Sequence, residues 1–190
     1  DSWGKNFSPG DIYKNLKTQT QTQNQEFYGK NFLVSDSLLD LKWILGSETK
    51  KIGNYTCYKA TSSVPTDVLT WYSFSWDSLR KKTDSTSTED KIIKMTTIEA
   101  WYTPQLPIGN GPGDYVGLPG MILEVSAGDT TLLCYKIILN PEEKIEIKVP
   151  SKGKVISKKD YKLTITEKMK EFRNNRMGRQ IGRASCRERV

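Results

Sequence analysis

Histidine is missing from all 190 residues. That removes every His-based triad, every Cys–His dyad and every imidazole metal ligand, so acid–base work is left to carboxylates, Lys and Tyr. Cysteine is scarce: Cys57, Cys134 and Cys186 are the three present. Cys186 lies in a basic tail, and the remaining pair cannot build a closed zinc site, which wants four N or S ligands. Asp84, Glu89, Asp90 and Asp129 offer oxygens for a cation, but they lack the twelve-residue spacing of an EF-hand. No cofactor is expected. No stretch approaches the roughly 20 apolar residues that a membrane-spanning helix requires, so no transmembrane segment is expected either.

Net charge is also small once the tail is set aside. Residues 173–190 hold six Arg against one Glu, which is +5 of the formal +7 and leaves +2 for residues 1–172. Single-strand nucleic-acid binding needs a basic stripe interleaved with stacking aromatics. Here the aromatics sit inside apolar strand-like runs, and no nucleic-acid partner is expected. The tail shows neither helical nor alternating periodicity, and its last ten residues resemble a translated sequencing adapter. Residues 178–190 are therefore expected to be a disordered or artefactual basic tail.

What the sequence does hold is β-forming. Five Trp, nine Tyr and five Phe, in a chain that is 36% hydrophobic, suit pleated, half-buried surfaces. Residues 1–25 are polar and rich in Gln and Thr, which predicts a mobile leader. A single domain is expected over 26–177. Strand signals fall at 26–34, 41–45, 51–60, 68–76, 92–103, 121–126 and 130–139, with turns at Ser35-Asp-Ser37, Gly46 to Lys50 and Ala127-Gly-Asp129, and with 81–90 as a polar loop. Tyr161, Ile165, Met169 and Phe172 recur at spacings of 4, 4 and 3, the pattern of one helical face, and Ser157 with Asp160 gives a capping arrangement at its start. The fold class is mainly β (α+β): a curved antiparallel sheet, with a half-barrel as one form it can take, and one C-terminal helix packed on it.

Two features invite a chemical reading. The carboxylates near the Gly-rich loop are Glu99, Asp114, Glu124 and Asp129, but no spacing among them singles out the carboxyl pair of a glycosidase. The loop 109–120, Gly-Asn-Gly-Pro-Gly-Asp-Tyr-Val-Gly-Leu-Pro-Gly, runs through proline into a strand instead of opening a helix or ending in Lys-Ser/Thr, so it is not a phosphate loop. Its glycines suit positive φ and close backbone approach around fixed prolines. Gly117, Leu118, Pro119, Gly120, Asp114 and Tyr115 form the candidate binding or turn motif. Leu118 is expected to tuck inward, and one or more of the glycines is expected to have positive φ. Cys57 and Cys134 fall in strands, where a disulfide and two reduced core thiols both remain open.

The segment from Ile98 to Val125, with Gly117-Leu-Pro-Gly-Met-Ile122 at its heart, resembles the signature of the GLPGLI family, Met121 standing where Leu is usual. Trp43-Ile44, Lys50 to Ala60 and Ile138 to Lys148 are similar as well, so the likeness runs over about 27–175. The resemblance implies a Bacteroidetes protein made with a signal peptide and exported to the periplasm or the outer-membrane periphery. It also implies association with TonB-dependent outer-membrane transport. The family has no assigned activity, and no catalytic residues carry over. Export favours the Cys57–Cys134 disulfide, because the periplasm is oxidising. The expectation is a non-enzymatic binding or accessory module with an outer-membrane or periplasmic protein partner. The alternatives are a lipid or lipoprotein carrier taking lipid or peptide on a concave apolar face, and a hydrolase using Asp114 with Glu99 or Glu124.

Overall fold

The computed structural model of the chain describes residues 10–74, 93–143 and 146–185, with helix side chains through Asn175. Two sheets carry the fold. The first is built from β1 (Ile12–Asn15), β2 (Thr20–Phe27), β3 (Lys30–Ser37) and β9 (Lys154–Ile156), in the order β1-β2-β3-β9. β9 runs parallel to β3, and the other pairs are antiparallel. The second is a fully antiparallel sheet of β4 (Ile44–Ile52), β5 (Tyr55–Pro65), β6 (Met95–Thr103), β7 (Met121–Ala127) and β8 (Thr130–Leu133), in sequence order. The helices are α1 (Thr66–Leu69) and α2 (Lys158–Ser185). The chain is thus mainly β with one C-terminal helix, as expected, but the sheet is two sheets and closes into no barrel.

Period-2 patterning explains the larger sheet. Ala60 and Val64 on β5, Ile98, Ala100 and Tyr102 on β6, and Ile122, Val125 and Ala127 on β7 share one buried face. Leu41, Leu69, Tyr115 and Leu118 close over it, so the apolar face is filled by the chain's own loops. In the smaller sheet, Phe32 and Val34 meet Tyr161, Ile165 and Met169 of α2, with Trp71 between them. Each helix side chain buried there contributes about 1.5–3 kcal/mol, which holds α2 on the sheet. The helix begins as the sequence indicates: the Asp160 N–H donates to Ser157 Oγ (3.0 Å), whose hydroxyl donates to Asp160 Oδ2 (2.8 Å). Phe172, at the end of the same stripe, stays 43% exposed.

Several expectations are corrected. Residues 12–15 and 20–25 of the supposed leader lie in β1 and β2, and Gln21 and Gln23 are buried. Residues 1–9 lie outside the described part. The polar Gln/Thr alternation carries no apolar signal, and its strands exist because β3 supplies a ladder across a two-residue turn at Tyr28-Gly29. Gly46 to Lys50 is not a turn but part of β4. The pairing slips between Leu45 and Thr49, and a Cβ on Gly46 would lie 3.2 Å from the Lys59 carbonyl oxygen. The turn comes later, at Gly53-Asn54, between the paired Ile52 and Tyr55. Val68 to Phe74 forms the end of α1 and turns, because burying Leu69 in one core and Trp71 in the other outweighs local β-propensity. The polar loop 81–90 lies outside the described residues. Residues 178–185 are helical, since Arg, Gln and Ala extend a helix that is already nucleated. Residues 186–190 are outside the described part.

The expected Cys57–Cys134 disulfide is absent: both are free thiols. Cys57 sits on β5 and Cys134 just beyond β8, with β6 and β7 between them. The run after β8 folds back over the sheet, so that Cys134 packs against the cluster of Cys57, Trp101 and Leu123 without being bonded to Cys57. Burial is the first cause raising the Cys57 thiol above its ordinary pKa.

Candidate functional site

The loop between β6 and β7 folds back over the larger sheet through its own backbone. Leu106 N–H reaches Thr103 O, Met121 N–H reaches Leu106 O (2.9 Å), Ile122 N–H reaches Asn110 O (3.0 Å) and Gly117 N–H reaches Gly109 O (3.3 Å). Trp43 Nε1 donates to Val116 O at 2.8 Å and fastens the loop to the segment before β4. Gly117 has φ of +94°, and its neighbour Leu118 is 3% exposed. Pro119 faces solvent. Gly120 has no positive φ, yet a Cβ there would fall 2.2 Å from Thr103 O. The two glycines are thus needed for different reasons, one conformational and one steric.

Asp114 and Tyr115 turn inward from this loop and are buried. Asp114 Oδ1 accepts from Gln21 Nε2 at 2.5 Å and from Lys158 Nζ at 3.0 Å. Lys14 donates to the carbonyls of Gly111 and Gly113, the latter at 3.0 Å. β2 and the first residue of α2 therefore meet at one carboxylate of the Gly-rich loop, and β1 holds the loop's carbonyls beside it. Lys158 Nζ also stands 5.4 Å from the centre of the Trp71 ring. Burial lowers the Lys14 ammonium to about 8, against an opposing pull from Asp114. Burial first, and the Asp114 charge second, push Tyr72 up to about 12, and they raise Tyr115 in the same way. The arrangement ties two sheets and a helix to one loop.

Residues 43–124 match the family model described as "Protein of unknown function (Porph_ging)". None of the curated proteins and none of the solved structures matches the chain. The matched stretch holds Trp43, Asp114, Tyr115 and the whole Gly-rich loop. Lys14, Gln21 and Lys158, which answer Asp114, lie outside it.

The other carboxylates lie apart from Asp114. Glu124 pairs with Lys50 at 2.7 Å, and Glu99 with Lys59 at 3.1 Å, on the opposite face of the larger sheet beside Trp101. Burial alone would raise Glu99, but bonds from Lys59 and Trp101 Nε1 hold it below its ordinary value. Asp129 is in the β7–β8 turn. Asp84, Glu89 and Asp90 lie outside the described residues, and among the described ones no group of three or more His, Cys, Asp or Glu comes together. Sequence reasoning reached Asp114 and Tyr115 but missed Lys14, Gln21, Tyr72 and Lys158. The buried Gln alternation in β2 was the one available signal, and it is indistinguishable from a polar linker.

Proposed function

We propose that the protein is an exported, non-catalytic binding module of a Bacteroidetes cell envelope, acting with an outer-membrane transport partner of the TonB-dependent kind. The likeness of Gly117 to Ile122 to GLPGLI proteins supports the location. The observation that carries the binding reading is the β8 edge, one of the two edges of the larger sheet. Among the described residues β8 pairs with β7 alone, and its last residue and the run that follows leave large apolar side chains in solvent: Leu133 is 59% exposed, Tyr135 95%, Ile138 60% and Leu139 61%. A row of unpaired edge groups beside apolar side chains is a template for strand addition by a partner. A 230 Å³ cleft of mixed polar and apolar lining opens between the β4–β5 turn at Gly53-Asn54 and the run Cys134 to Ile137 that follows β8.

The Gly-rich loop serves as the clasp of the fold in this reading, because Asp114, Tyr115 and Leu118 are consumed inside it. A hydrolase on Asp114, Glu99 and Glu124 is less favoured, since each carboxylate is bonded to a lysine and Asp114 lies on the opposite side of the larger sheet from the other two. A photo-crosslinking side chain at Tyr135 should capture an outer-membrane protein in whole envelopes, while the same group at exposed Lys42 should not. Identical adducts from both positions, or none from Tyr135, would remove the proposal.

A further inference from the structure

A second cleft lies on the smaller sheet, whereas β8 belongs to the larger one. It has a volume of 480 Å³, within the range of about 300–1,000 Å³ for small-molecule sites. Its apolar wall is Phe27, Phe32, Ile165 and Phe172, and the charged residues of the lining are Lys30, Lys154, Lys168 and Glu171. Lys168 is neutralised by Glu171 at 2.8 Å. Lys30 and Lys154 have no acidic partner among the described residues. An apolar trough with two uncompensated cations beside it is complementary to one chemistry: a hydrocarbon chain ending in an anion.

The β2–β3 turn points the same way. Tyr28 and Gly29 both have positive φ, +48° and +74°, which is the type I′ requirement that Asn-Gly meets without strain. A bulky tyrosine there is an outlier. Its ring, 73% exposed, nonetheless stands 5.0 Å from Phe172 and 4.7 Å from Phe27, over the cleft. Strain held at one position beside a pocket is the mark of a site.

We propose that this cleft binds a single-chain fatty acid, its hydrocarbon against Phe27, Phe32, Ile165 and Phe172 and its carboxylate between Lys30 and Lys154. The site is independent of the β8 edge, so either assignment survives the failure of the other.

Calorimetric titration of the full chain with laurate, below its micelle concentration, tests it against dodecyltrimethylammonium, which carries the opposite charge on the same chain. One laurate per chain is expected, bound at least tenfold tighter than the cation. The surface variant Lys30→Glu/Lys154→Glu should keep its melting temperature and lose at least tenfold in laurate affinity. Tyr28→Asn, suited to the turn, and Phe172→Ala should each weaken binding severalfold. Leu133→Glu, on the other sheet, should leave it unchanged. Equal binding of both amphiphiles, no saturable binding, full affinity in the double Lys variant, or loss in Leu133→Glu would each overturn the assignment. So would sedimentation as a dimer that Phe172→Ala dissolves, since a second copy would then fill the cleft.

Discussion

Alanine at Gly117 and at Gly120 should destabilise the chain for reasons that can be separated. At Gly117 a Cβ meets nothing closer than 3.8 Å, so space is available and the cost is the φ of +94° alone. That conformation costs an L residue about 1–2 kcal/mol. At 2–4 °C per kcal/mol for a chain of this size, Gly117→Ala should melt about 2–8 °C lower. At Gly120 the added carbon would stand 2.2 Å from Thr103 O, 2.6 Å from its carbonyl carbon and 2.9 Å from Pro104 N. All three are backbone atoms at the end of β6, and relief requires moving the strand or the loop. Overpacking costs about 1–3 kcal/mol or more, and contact with backbone places Gly120→Ala at or above the top of that range. Asparagine separates the two causes, because it tolerates positive φ better than other non-glycine residues. Gly117→Asn should recover part of the loss seen with Gly117→Ala, whereas Gly120→Asn should be worse than Gly120→Ala. Urea unfolding followed by tryptophan fluorescence gives the four values. If Gly120→Ala proved no more costly than Gly117→Ala, or if Asn failed to help at 117, the division into steric and conformational glycine would be wrong.

Asp114→Asn leaves Lys158 without its carboxylate and should cost about 3–5 kcal/mol in urea unfolding, as for a broken buried pair. Adding Lys158→Met should restore part of it, and purely additive losses would show that the two do not interact. Stability should depend on pH through the same cluster. Lys14 titrates at about 8 folded against 10.5 when exposed, so the unfolded chain holds the extra proton between those values and stability rises from about pH 8 upward. Above pH 10 the trend reverses, because folded Tyr72, at about 12 against 10.0, and Tyr115 keep protons that the unfolded chain releases. Lys14→Met should flatten the rise and leave the fall, as read by melting temperature against pH. Peptide mapping after alkylation of the native protein should find Cys134 modified and the fully buried Cys57 protected. Protection of both that is lifted only by reductant would indicate a disulfide.

Features that depend on a few neighbouring residues were legible in the sequence. The 4, 4 and 3 spacing located the buried face of α2, and Ser157 with Asp160 located its start, because helical geometry links residues one turn apart. Runs of β-forming residues bounded by Gly and Pro located β6 and β7, and Ala127-Gly-Asp129 located the turn after them. Proline and glycine constraints placed positive φ in the Gly-rich loop and turned Leu118 inward, since those limits act on single dihedral angles.

The smaller sheet was decided only by tertiary structure. The Gln and Thr residues of β2 have no apolar face of their own, and they become a strand because β1 and β3 complete their hydrogen bonds. The meeting of Asp114 with Gln21 and Lys158, 93 and 44 positions away, carries no periodicity that a sequence could display. Strand order likewise brought Lys30 and Lys154 to one cleft. Local sterics write themselves into short patterns, whereas pairing between distant segments is selected by the burial and hydrogen bonding of the whole chain.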